Sequence, residues 1–165
     1  MSSQLLLRCL NWLLGSGVKE SDLDRPDPFG LCSTITRADY IRVLSDKGIK
    51  AMSLDTPLDD WYSVVSKKQL DVIAPYLVYP ADNYLSEVSD CEDYAIRAQS
   101  DAAFNFHVSS VRLCLGDTPL GYHGFVVAVD TERNLWLLES NAGFEYAGEW
   151  FRIGLYGYVP EKVLL

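Results

Sequence analysis

Basic residues and histidines are scarce in this chain: 14 lysines and arginines stand against 23 aspartates and glutamates, with only 2 histidines in 165 residues. The formal charge of −9 argues against nucleic acid or anionic membrane as a partner, because both require a basic surface. No apolar stretch is long enough to span a bilayer. The leucines near the N-terminus (Leu5 to Leu7, Leu13, Leu14) are interrupted by Arg8 and Asn11, follow no basic segment and precede no Ala-x-Ala site, which argues against a signal peptide. The four cysteines, at 9, 32, 91 and 114, form no Cys-x-x-Cys pair and no close metal-ligand spacing. A reduced, cytoplasmic protein is the expectation. No internal repeat or low-complexity segment is present, so residues 1–165 are read as a single domain, long enough to bury a core without staples.

What is present is helix punctuation in the first half and strand patterning in the second. Leu6, Cys9/Leu10 and Leu13 predict an amphipathic helix over 3–14, ended by Gly15-Ser16-Gly17, and a polar loop follows over 19–30. Thr36 with Asp39 opens a helix that turns Ile41 and Leu44 inward and stops near Gly48. Ser66 with Gln69 opens another, through Leu70 and Ile73, broken by Pro75. Residues 76–88 are irregular and tyrosine-rich, placed where a groove or lid could form. Ser89 with Glu92 reads as a capping box with Ser89 as N-cap and Cys91 as the second helical residue. The helix carries an apolar stripe of Cys91, Tyr94/Ala95, Ala98 and Ala102. Beyond it, Phe104, Phe106, Val108 and then Val111, Leu113, Leu115 alternate, and residues 116–119 read as a turn. Residues 124–129 and 135–139 read as strands around a hairpin loop over 130–134, and 154–159 as a further strand. The expected fold class is α+β: a mainly helical part over 1–88, then the cysteine helix packed on an antiparallel sheet over 89–165.

The chemistry-bearing residues follow from that arrangement. A thiol at a helix N-terminus can be held as thiolate by the macrodipole, yet a cysteine there is equally the first core residue of a well-capped helix. His107 lies in an alternating segment without polar companions and reads as structural. His123 opens a strand, and the adjoining strand ends at Glu139 and Asn141, so the hairpin makes His123 and Glu139 cross-strand neighbours. Cysteine, histidine and carboxylate are the groups that nucleophilic acyl transfer needs. Asp90, Glu92 and Asp93 around the thiol oppose its ionisation, so the helix N-terminus, an imidazolium at His123 or a bound cation must offset them.

The stretch Asp90-Cys91-Glu92-Asp93-Tyr94-Ala95-Ile96, His123 before Gly-Phe-Val-Val-Ala-Val, and Leu137-Leu138-Glu139-Ser140-Asn141 resemble the bacterial transglutaminase-like cysteine peptidases over roughly residues 85–142. The resemblance implies a papain-like fold, with Cys91 as nucleophile, His123 as base and acid, and Glu139 in place of the family's orienting aspartate. It further implies Asp90 and Glu92 as calcium ligands, with calcium an optional cofactor. Three departures stand out: Ser89 replaces the usual glycine, Glu139 is one methylene longer so that Asn141 competes for the orienting role, and the family's export signal is not recognised. The expected function is a cysteine-dependent hydrolase of a peptide or related amide, acting on a protein or peptide substrate through a thioester, in a bacterial or phage setting. Two alternatives stand beside it. One is an amidase, deamidase or transglutaminase on the same fold; the other is a non-catalytic binding domain whose aromatic loops, Phe144-Glu145-Tyr146 and Trp150-Phe151, grip a partner or else belong to the core.

Overall fold

The structure, a computed structural model, describes residues 32–53 and 59–165. The helix expected over 3–14 and the loop over 19–30 lie outside the described residues. In chain order these form β1 (Ser33–Thr36), α1 (Arg37–Ser45), β2 (Lys50–Met52), β3 (Trp61–Val64), α2 (Lys67–Ile73), α3 (Cys91–Phe106), β4 (Val111–Thr118), β5 (Gly121–Val129), β6 (Leu135–Leu138) and β7 (Val159–Leu164).

The helix starts at α1 and α2 follow their caps. Thr36 Oγ1 accepts from the Asp39 N–H at 3.0 Å, and Ser66 and Gln69 close a reciprocal capping box. Pro75 ends α2 as expected, and the chain continues as a 3₁₀ turn over Ala74–Leu77. The expectation of a helical part over 1–88 is not met. Among the described residues that part carries three strands, each of only three or four residues, which is too short to impose a readable period on the sequence. Two assignments in the second half also change. Phe104 and Phe106 belong to α3, not to an alternating strand, and residues 155–157 form a 3₁₀ turn, so the last strand starts at Val159. Gly116 to Thr118 extend β4 rather than turning.

The main sheet has the order β2-β7-β4-β5-β6 and is mixed, not antiparallel: β2 runs parallel to β7, with Ala51 opposite Val163, while the other neighbours are antiparallel. A separate two-stranded ladder joins β1 to β3. Successive residues of β5 point to opposite faces and both faces are covered. Val126 and Ala128 pack with Ala95, Ala98, Ala102 and Phe106 of α3, whereas Phe125, Val127 and Val129 pack with Tyr40 and Leu44 of α1 and with Tyr62. That two-sided burial explains why residues 124–129 read as a continuous apolar run. The loop between β5 and β6 is organised by Asp130, whose carboxylate accepts from the N–H groups of Glu132 and Asn134 at 2.9 Å and from Trp136 Nε1 at 2.8 Å.

Candidate functional site

The site is built where the start of α3 meets the start of β5. The N-cap of α3 is Asp90 with extended backbone, paired in a capping box with Asp93, and Cys91 is the first helical residue. The Asp90 N–H donates to Asp93 Oδ2 at 3.2 Å. Ser89 is unavailable as a cap because its backbone is spent on a tight turn: it exchanges hydrogen bonds with Leu85 at 2.8 and 2.9 Å, and Glu87 at the turn takes a φ of 63°. Acidic side chains and the N–H groups of the first turn thus surround the thiol at the positive end of a 16-residue helix.

Close approach of the two elements depends on Gly124. A Cβ there would lie 3.0 Å from Glu92 N and 3.1 Å from the Cys91 carbonyl carbon, so only glycine lets β5 run directly beneath the first turn of α3. His123, the preceding residue, is thereby brought to Cys91. Its Nε2 lies 2.8 Å from Glu139 Oε2, which leaves Nδ1 for the thiol. Glu139 is only 1% exposed and both oxygens of its carboxylate accept hydrogen bonds: Oε2 also accepts from Tyr158 Oη at 3.0 Å, and Oε1 accepts from the Asn141 N–H at 2.9 Å. Asn141 does not orient the imidazole; its own Oδ1 caps the next turn by accepting from the Gly143 N–H at 2.9 Å. Phe144 stacks on the ring of His123 with centroids 4.8 Å apart.

Electrostatics follow from these contacts. Burial of His123 works against its protonation, but hydrogen bonds to Cys91 and Glu139 and the charges of both outweigh it and push the pKa up to about 9. The phenol of Tyr158 is raised by burial and by the adjoining Glu139 carboxylate, so it stays a donor. Asp90 is raised, first by a side-chain hydrogen bond with Glu92, and Glu92 is lowered by the same bond: the proton between them rests on Asp90. Cys91 Sγ lies 3.2 Å from Glu92 Oε2.

The expected calcium ligands can be tested against this. Ligand atoms of Asp90, Cys91 and Glu92 lie within 4.8 Å of one another. A hard cation takes six to eight oxygens, and the carboxyls of Asp90 and Glu92 beside the thiol supply part of that shell. Of the remaining sequence candidates, His107 ends α3 in a left-handed conformation with φ 57° and lies away from the site. Trp150 and Phe151 are buried in the core, while Phe144 and Tyr146 line cavities.

In front of Cys91 and His123 opens a cleft of about 440 Å³. Tyr84 forms one wall, Thr118, Leu120 and Tyr122 of the β4–β5 turn another, and Asn141 and Phe144 a third. Sequence reasoning placed a groove at 76–88, which contributes Ala81 and Tyr84, but it missed the β4–β5 turn and Tyr158. Leu120 at 82% exposed and Tyr122 at 53% exposed gave no motif, and Tyr158 was concealed among strand residues.

No family model and no curated protein matches the chain. Solved structures do. The PSL1a–E64 complex is matched over 80% of this chain and 51% of that chain, with a TM-score of 0.60 and 17% identity. Polyporus squamosus lectin bound to the human-type influenza-binding epitope Neu5Aca2-6Galb1-4GlcNAc is matched over 80% of this chain and 49% of that chain, with a TM-score of 0.56 and 18% identity. The chain therefore shares its fold with about half the length of a lectin chain. These findings correct the family expectation. The resemblance to transglutaminase-like cysteine peptidases rested on short motifs and has no matching family model behind it. With the mixed sheet and the strands of residues 33–64, the papain-like architecture with a helical N-terminal part is set aside, and so is the peptide-cleaving hydrolase with a protein substrate. A capped helix start, a histidine heading an apolar strand and an acid ending the next can recur wherever such a helix packs on a hairpin, which is why the motif match did not fix the family. Among the described residues no helix is long and apolar enough to cross a membrane.

Proposed function

We propose that this chain is a binding domain that seats a saccharide in the cleft before Cys91. The observation that carries the reading is the make-up of the cleft: the rings of Tyr84, Tyr122 and Phe144 line it together with the polar side chains of Thr118, His123 and Asn141. Sugars offer an apolar ring face together with hydroxyls, and such a site satisfies both. The likeness to a lectin captured with a glycan agrees with it. The test is NMR titration of the ¹⁵N-labelled protein with Neu5Aca2-6Galb1-4GlcNAc and with simple mono- and disaccharides. Saturable shifts at Tyr84, Tyr122 and Phe144 are expected, weakened roughly tenfold in Tyr122→Ala by loss of one stacking face. Saccharides that leave the cleft resonances unmoved would overturn it.

A second reading is favoured by one observation, the unbroken contact from Cys91 through His123 to Glu139. In it Cys91 is the nucleophile, His123 the proton carrier and Glu139 the orienting acid for acyl transfer at a side-chain amide, as in an amidase, deamidase or transglutaminase. Iodoacetamide alkylation of Cys91 across pH, with and without calcium, decides it. Selective reaction well below the free-thiol range near pH 8.5, lost in His123→Ala, is expected on this reading. Ordinary thiol behaviour in both proteins leaves the binding reading alone.

A further inference from the structure

Beside the cleft lies a second cavity of about 360 Å³, separated from it by Leu120 and Phe144, which line both. Its other walls are Tyr146, Tyr156 and Tyr158, and Glu145 stands in the lining. Tyr146 and Tyr156 lie face to face, centroids 3.5 Å apart and planes within 5°, making one double-ring wall. That wall is anchored from behind, since Phe151 meets Tyr156 edge-on at 5.2 Å. The backbone is built around it as well. Tyr156 holds a φ of 58°, and Gly157 packs so tightly on the β4–β5 turn that a Cβ would come within 2.8 Å of Pro119. Left-handed backbone at a bulky residue is costly and persists where surrounding structure enforces it.

The chemistry of this cavity differs from that of the cleft. Four aromatic rings surround it, its lining contains one carboxylate and no basic side chain, and the chain carries a net charge of −9. Ring faces are negative, so an aromatic lining with an acid at its edge attracts a bulky, weakly hydrated cation rather than a neutral apolar group. The Glu145 carboxylate lies close to the Tyr146 phenol, whose pKa its charge raises.

We propose that the cavity walled by Phe144, Tyr146, Tyr156 and Tyr158 with Glu145 is an aromatic cage for an alkylated ammonium group. It stands independently of the saccharide reading. A ligand carrying such a group would enter past Leu120.

The test uses choline and its neutral isostere 3,3-dimethyl-1-butanol, titrated into the intact protein at about 0.15 M salt and followed by aromatic ¹³C NMR. Choline is expected to shift the Tyr146 and Tyr156 resonances saturably and to bind roughly tenfold more tightly than the alcohol, as cation–π attraction in the cavity implies. Glu145→Gln, a change at an exposed side chain that leaves the core intact, is expected to weaken choline severalfold and leave the alcohol unchanged. Tyr146→Leu is expected to weaken choline further. Equal binding of choline and alcohol would reduce the cavity to an apolar pocket and overturn the proposal, as would the lack of any saturable shift, or choline binding indifferent to both substitutions. Tyr84 and Tyr122 line only the cleft and Tyr146 and Tyr156 only the second cavity, so the two titrations are read at separate residues and either proposal can fail alone.

Discussion

At the scale of single residues, the site is held by one buried carboxylate. Glu139 receives the imidazole of His123, the phenol of Tyr158 and the N–H of Asn141, and each donor replaces water that burial removed. Tyr158→Phe should therefore cost about 1.5–3 kcal/mol, the range for a hydrogen bond to a charged group, measured as a shift in the urea midpoint. A smaller loss would mean that water takes the place of the phenol. His123 gives a prediction with a definite sign. Its folded pKa of about 9 lies above the ordinary value of 6.5, so the folded protein binds the proton more tightly than the unfolded chain. The stabilisation is complete below pH 6.5 and disappears as pH rises through 9. Denaturation midpoints should fall across that window in the wild type and lose most of this slope in His123→Ala.

Among elements, the decisive contact is α3 on β5. Gly124 allows it, and the same residue explains why Cys91 and His123 come together although 31 residues separate them in sequence. Gly124→Ala should push the first turn of α3 off the strand at an overpacking cost of about 1–3 kcal/mol. It should also return the His123 pKa toward its ordinary value by parting it from Cys91, which an NMR titration of the imidazole would detect. A titration identical to wild type would show that the helix start yields without moving the thiol. The helix itself begins one residue later than its sequence suggests, because the Leu85–Ser89 turn uses the backbone of Ser89. The local capping pattern offered Ser89, and only the turn before the helix moved the cap to Asp90.

For the whole molecule, the parallel pairing of β2 with β7 joins the beginning of the described chain to its end, and Val163 sits fully buried at that junction between Ala51 and Cys114. Val163→Ala removes two methyl groups there and should cost about 2 kcal/mol by lost transfer and cavity terms, read as a lowered midpoint in a single cooperative transition. Separate transitions for the two ends would show that the sheet does not fold as one unit. Elements with strong local signals were legible: the caps at Thr36 and Ser66, the break at Pro75, the apolar face of α3 and the hairpin around Asp130. So was the meeting of His123 with Glu139, since a hairpin brings the start of one strand to the end of the next whatever its register. The short strands of residues 33–64 were not legible, because three or four residues show no period and their pairing is long-range. The mixed sheet depends on a partner more than a hundred residues away in sequence. The sequence by itself thus determined where helices start, which strands form the hairpin and which three side chains could meet. Only the tertiary structure decided the sheet order, the choice of Glu139 over Asn141 beside His123, and the aromatic cavity at Tyr146 and Tyr156, because each arises from residues distant in sequence whose contact no local propensity encodes.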